Sequence, residues 1–241
     1  MKKFAVLLAL MMSLCSLASC GDSKKSSKSG KNSSSVTESD ENKNTDSDDD
    51  DEGESAEGFE RGSVSGKTYT SEFGGIKFTA PSEWVYSTDE QILSMMNIAL
   101  DVTGNDNELT KQLLEQAVIY DAQAMNVTTG ENVIIMYENL RKEGINPDTI
   151  TAESYLDIVK SQLENMSGVT YSDFSDYEKV RFGNKEFLRF KLTSTYGTLN
   201  YSCSQIQYVR KTGDFIMAII VSSGAEKRDM TVYEDCFEAI D

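Results

Sequence analysis

The chain has 241 residues, no histidine, four cysteines and a formal net charge of −17. Without histidine it has no Ser-His or Cys-His dyad, no imidazole base and no zinc site of the usual His-containing kinds. Its acidity is the reverse of the basic footprint that phosphate backbones require, so nucleic acid is not an expected partner.

At the amino terminus, Lys2 and Lys3 precede an apolar run from Phe4 to Leu14 that is too short to span a bilayer permanently. The next residues, Leu17-Ala18-Ser19-Cys20, match a lipobox, in which small residues precede a cysteine whose thiol receives a diacylglycerol before cleavage on its amino side. Residues 1–19 are therefore expected to be a lipoprotein signal peptide, and Cys20 the lipidated first residue of the mature chain. Two or three acyl chains, at about 0.8 kcal/mol per buried methylene, make a stable anchor. The expected location is the extracytoplasmic face of the cell membrane, and the membrane is the first expected partner. Gly21 after the anchor, with no acidic cluster immediately following, favours a Gram-positive envelope.

Residues 20–62 read as a tether. The stretch is rich in Ser, Lys, Asp and Glu and too poor in apolar side chains to offset the entropy of ordering. Its charge is graded: Lys24, Lys25, Lys28 and Lys31 lie near the anchor, whereas Asp46, Asp48 to Asp51, Glu52, Glu54 and Glu57 lie far from it. The basic end suits anionic headgroups and the acidic end is repelled by them. Coil statistics give a mean span of roughly 35–40 Å and an extended limit of about 140 Å. The acidic run is not an EF-hand: counting from Asp46, the position that needs glycine is Asp51.

Residues 63–241 are one domain's worth of chain, with 15 Lys plus Arg against 27 Asp plus Glu. Only Cys203 and Cys236 remain there, too few for a cysteine metal cluster. They are left as either a disulfide or two buried thiols.

Tyr69–Ser71 and Ile76–Ala80 read as strands around the turn at Gly74-Gly75. Between Thr88 and Met125 apolar residues recur at helical spacing, predicting two amphipathic helices joined through Gly104-Asn105. Strands are predicted over Tyr120–Thr128 and Asn132–Leu140, then a helix from Ala152 to Met166 capped by Thr151. A meander follows: Val169–Phe174, Lys179–Phe182, Lys185–Thr195, Thr198–Arg210 and Asp214–Val221, with turns at Gly183-Asn184 and Thr212-Gly213. Val133–Met136 and Phe215–Val221 are apolar on both faces, so they are expected to be central strands covered by helices on each side. A last helix is expected over Arg228–Ile240, with Tyr233, Cys236, Phe237 and Ile240 on its apolar face. The predicted class is α+β: an antiparallel sheet with helices on both faces.

This order, with the segment Gly75-Ile76-Lys77-Phe78-Thr79-Ala80-Pro81-Ser82-Glu83-Trp84, resembles the PsbP-like domains. The resemblance covers roughly Tyr69 to Ile240 and implies an α/β/α sandwich that acts by binding. Metal sites of the photosynthetic branch do not carry over through histidine, since the chain has none.

Chemical motifs are scarce. No Ser-x-x-Lys, Walker A or G-x-G-x-x-G pattern occurs. No cofactor or catalytic group is expected. Trp84 with Tyr86 is a candidate stacking surface, and Met95 with Met96 a candidate apolar groove, though residues at such spacing also serve as core. The first expectation is a non-enzymatic binding or accessory lipoprotein for an envelope or protein ligand. The alternatives are a small-molecule or transport-associated binding lipoprotein and a carboxylate-dependent hydrolase.

Overall fold

The computed structural model describes residues 58–94, 117–197, 201–224 and 228–240. The expected signal peptide, the anchor Cys20, the tether up to residue 57, and both Met95 and Met96 lie outside the described residues.

Alternation decides the architecture. The strand β11 (Phe215–Ser223) is buried at every position, as is β6 (Asn132–Asn139), its antiparallel neighbour. They sit at the centre of an antiparallel sheet ordered β4-β5-β6-β11-β10-β9-β7. The remaining strands of that path are β4 (Trp84–Tyr86), β5 (Val118–Asn126), β7 (Val169–Ser172), β9 (Lys185–Tyr196) and β10 (Tyr201–Thr212). The strand β8 (Glu178–Phe182) pairs with the other end of β9.

Each face of this sheet carries its own core. Ile134, Met136, Ile216, Ala218 and Ile220 meet Tyr155, Leu156, Val159 and Leu163 of the helix α1 (Ala152–Leu163). Val133, Ile135, Met217, Ile219 and Val221 point the other way, to Tyr69, Ile76, Phe78, Tyr233 and Phe237. At roughly 1.5–3 kcal/mol for each fully buried large side chain, both layers contribute heavily to the fold. The second face is not covered by helices. It is covered by a four-stranded sheet ordered β1-β2-β3-β12, made of β1 (Ser63–Ser65), β2 (Thr68–Ser71), β3 (Ile76–Thr79) and β12 (Phe237–Ala239).

The expected antiparallel sheet with helices on both faces is thus corrected to a largely β structure, two sheets face to face with one long helix on the outer side among the described residues. The α/β/α sandwich implied by the PsbP-like resemblance fails for the same reason. The expected last helix is the local cause. Residues Met230–Cys236 form a 3-10 turn capped by Asp229, whose carboxylate accepts from Thr231 N at 3.0 Å, and Phe237–Ala239 then pairs with β3. Thr231, Val232 and Tyr233 are weak helix formers. The open backbone edge of β3 offers hydrogen bonds and a 4.7 Å ring contact between Phe78 and Phe237. Of the two helices expected between Thr88 and Met125, residues 89–94 are helical and the chain is in β5 from Val118, while residues 95–116 lie outside the described residues.

The helix after Pro147 forms as expected. The Thr151 side chain accepts from Ser154 N at 3.1 Å and the Ser154 side chain accepts from Thr151 N at 3.0 Å, which closes a capping box. A β-bulge between Tyr120 and Ala122 makes Asp121 an extra residue in β5. Tyr120 faces the helix while Ala122 faces the second sheet. The bulge re-aims the strand and frees Asp121 to serve the layer between the sheets.

Candidate functional site

The meander turns at Gly183-Asn184 and Thr212-Gly213 lie at the same end of the large sheet, because antiparallel strands return every second turn to one edge. Cations flank both turns: Lys185 follows the first, and Arg210 and Lys211 precede the second. With Lys179 of β8 they line a groove of about 670 Å³ that runs beneath the first turn of α1, where Glu153 and Glu186 are the acids. Strand alternation sends Lys179 and Lys211 to the helix side and Lys185 and Arg210 to the side of the second sheet. Lys179 is tied to Glu186 at 2.9 Å. Lys185 and Lys211 form no ion pair among the described residues. Arg210 donates to Gly74 O at 2.9 Å and lies over the Phe187 ring.

A second hollow of about 630 Å³ lies between β9, β10 and the 3-10 turn, and its charges are balanced. Its Arg189 is held by Glu178 and Glu234, and its Arg228 by the buried Glu131. The first groove, by contrast, is lined by Lys179, Lys185, Arg210 and Lys211 against Glu153 and Glu186, an excess of cations.

The chain enters the domain beside this groove. Phe59 stacks on Phe215 with ring centroids 5.1 Å apart and meets Phe73 edge-on at 4.9 Å. Two residues on, Asp121 fixes the entry. Gly62 N donates to its two oxygens at 3.1 and 2.9 Å, Arg61 Nε donates to Oδ1 at 3.3 Å, and the Tyr69 hydroxyl donates to Oδ2. Arg61 also donates to Tyr120 O at 2.6 Å. With three donor groups on its two oxygens, this buried carboxylate has its hydrogen bonds satisfied. It locks the last residues of the tether into the space between the sheets.

On the helix side lies a different acid pair. The Tyr155 hydroxyl donates to Glu138 Oε2, while Glu138 Oε1 and both oxygens of Glu143 have no hydrogen-bond partner among the described residues. Burial pushes the Glu138 carboxyl up to about 7, and burial together with the neighbouring Glu138 pushes Glu143 up to about 8. Both side chains are sealed, with 0 and 1 % of the residue exposed, so this pair cannot serve as the open carboxylate pair of a glycosidase.

Trp84, expected as a candidate stacking surface, is 2 % exposed and packs against Tyr233 at 4.9 Å. It belongs to the core between the sheets. Tyr86 is half-buried and its hydroxyl donates to Phe78 O at 3.1 Å. Met95 and Met96 fall outside the described residues, so the two pairs are not brought together here. Cys203 and Cys236 are not joined by a disulfide. By alternation with Ile206 and Tyr208, Cys203 sits on the helix side of β10, whereas Cys236 packs into the core of the other face. The large sheet thus lies between the two sulfurs. The groove cations were missed in sequence although a signal existed, namely basic residues beside two turns that a meander places at one end.

No helix among the described residues is long and apolar enough to cross a membrane, and no group of three or more His, Cys, Asp or Glu among them is placed to hold a metal ion. No family model and no curated protein matches the chain. Among solved structures it is similar to LpqN, described as involved in cell envelope biogenesis of Mycobacterium tuberculosis. The identity is 11%, the match covers 67% of this chain and 76% of that chain, and the TM-score is 0.35.

Proposed function

We propose that the protein is a lipid-anchored, extracytoplasmic binding module whose groove beneath the helix start takes a polyanionic ligand of the envelope. The lipobox ending at Cys20 supports the anchor, and the run of polar residues after it supports display at a distance from the membrane. The observation that carries the binding reading is the groove itself. Lys185 and Lys211 stand without carboxylate partners among the described residues, in a chain of net charge −17. Side chains of that kind are attracted to repeated anionic groups, and the attraction falls with salt. Function on this reading is recognition, with no bond made or broken.

The test is binding of labelled sodium polyphosphate and of poly-glutamate to the full-length chain, followed by fluorescence anisotropy. The two probes separate phosphoryl from carboxylate recognition. The K185E/K211E variant is expected to keep its melting temperature and to bind the preferred probe at least about tenfold more weakly, in line with two phosphate-type contacts. Equal binding by the variant and the parent chain overturns the reading, as does binding that is indifferent to salt.

A further inference from the structure

The face of the large sheet that meets the second sheet changes character along its width. Near the centre, Ile206, Met217 and Ile219 share a core with Phe78, Tyr233 and Phe237. At the β7 end it carries hydroxyls instead. Val169, Tyr171, Leu192 and Tyr196 belong to the helix-side core, so alternation turns Thr170, Ser172, Thr193 and Thr195 to the opposite face. Ser202 and Ser204 lie in two-residue steps before Ile206 and point the same way. Thr170 and Ser202 both pair with Thr195, and Ser172 and Ser204 both pair with Thr193. The result is two rows of three hydroxyls across three strands, about 4.8 Å apart between strands and roughly 6.7 Å along them. Thr195 Oγ1 and Ser202 Oγ are 3.0 Å apart. Thr170 and Ser202 are exposed and the other four are half-buried.

The row Ser172-Thr193-Ser204 runs into the hollow of about 630 Å³, whose floor includes Thr193, Ser204 and Lys191 and whose rim includes Asp173, Asp229 and Thr231. That volume is in the range of small-ligand sites, roughly 300–1,000 Å³. Its charges leave little for an ionic ligand. Arg189 and Arg228 are paired with acids, and Lys191, which forms no ion pair among the described residues, faces a rim holding two carboxylates. Those carboxylates accept from Ser172 Oγ at 2.9 Å and Thr231 Oγ1 at 2.6 Å. The apolar members, Ile206 and Met230, are buried. What remains is a dense set of groups that both donate and accept. The edge makes this more telling. Strand β7 ends the sheet, where charge or proline ordinarily blocks further pairing, yet Val169-Thr170-Tyr171-Ser172 has neither in a chain that is 26% charged.

We propose that this hydroxyl face and its hollow form a second binding site, separate from the cationic groove, for a neutral saccharide. Sugar hydroxyls exchange hydrogen bonds with the two rows, directly or through water, and Lys191 and Asp173 add a donor and an acceptor at the edge. Because no net charge is neutralised, binding here is nearly independent of salt.

Calorimetric titration of the full-length chain with chitotetraose, cellotetraose and maltotetraose tests the site. At least one is expected to bind, with an affinity that changes by less than about twofold between low and physiological salt. The T193V/S204A variant loses two floor hydroxyls and keeps the strand backbone, and it is expected to bind at least about tenfold more weakly at an unchanged melting temperature. If its melting temperature falls, T195V/S202A on the more exposed row replaces it, with a loss of at least about threefold expected. K185E/K211E is expected to bind the saccharide as the parent does. Absence of heat with all three tetrasaccharides overturns the proposal, as does equal binding by a folded hydroxyl variant and the parent. Loss of saccharide binding in K185E/K211E also overturns it, because the sugar would then occupy the cationic groove.

Discussion

Two buried acids on opposite faces of one sheet differ in how fully they are hydrogen-bonded. Asp121 lies between the sheets and accepts from Gly62 N, Arg61, and Tyr69. Glu138 lies under the helix with one hydroxyl donor, and its neighbour Glu143 has none among the described residues. Burial is nearly the same for all three, so burial alone does not set the charge of an acid. The number of donors aimed at the ionised form does. Asp121 can therefore act as an anchor, while Glu138 and Glu143 are kept close to neutral and remain sensitive to pH.

The largest expected effect comes from removing the anchor. D121A leaves the Gly62 N–H and the Tyr69 hydroxyl without their acceptor between the sheets, and it frees Arg61, which is half exposed and can return to water. A loss of about 3 kcal/mol is expected from the unsatisfied donors. It should be accompanied by faster tryptic cleavage after Arg61. If the melting temperature stays within a degree of the parent and cleavage does not change, the three-donor clamp is not what fixes Arg61 and Gly62.

The glutamates give a smaller, pH-dependent effect of the other sign. Both carboxyls are raised from 4.5, to about 7 for Glu138 and about 8 for Glu143. Above pH 4.5 the unfolded chain has released protons that the fold retains. Stability from this pair is therefore fully present below pH 4.5 and is lost as pH rises through 7 and 8, at up to about 1.4 kcal/mol per unit for each carboxyl. The E138Q/E143Q variant removes the titration and retains an acceptor for Tyr155. It should match the parent at pH 4 and be the more stable of the two at pH 8.5, read from urea midpoints at the two pH values. Parallel pH profiles for the two proteins would falsify the assignment of neutral acids.

The same contrast explains what could be read in advance. The central strands were legible because Val133–Met136 and Phe215–Val221 are apolar on both faces, and the helix was legible because Thr151 and Ser154 cap an amphipathic run. These are signals within one element. Which layer covers the second face was not legible, since the answer depends on Phe237–Ala239 pairing with Ile76–Thr79 across more than half the domain. At helical spacing, Tyr233 and Phe237 fit either outcome, and the free edge of β3 decided it. Trp84 was legible as an anchor of local structure but not as the partner of Tyr233. The buried acids were hidden for a similar reason: the donors to Asp121 are between 52 and 60 residues away in sequence, and the hydroxyl that meets Glu138 is 17 residues away. The groove lay between these cases, because meander logic puts its two turns at one end while the unpaired state of Lys185 and Lys211 appears only once the strands are placed.

The smallest expected effect is none at all, and it bears on the two faces directly. A bond between Cys203 and Cys236 would close a loop of about 33 residues and contribute roughly 3–4 kcal/mol in the chain-entropy account. Cys203 is buried on the helix side, and Cys236 is only partly buried against the core between the sheets. Two thiols separated by the thickness of a close-packed sheet cannot reach the Cα spacing of roughly 4.4–6.8 Å that a disulfide needs without unpairing β10. Reductant should accordingly leave the melting temperature of the air-oxidised protein unchanged. Alkylation without denaturant should modify Cys236 before Cys203, because only the former has an exposed edge. A drop of several degrees on reduction, absent from C203S, would show that the sheet does not separate the two sulfurs and that the two cores communicate at this point.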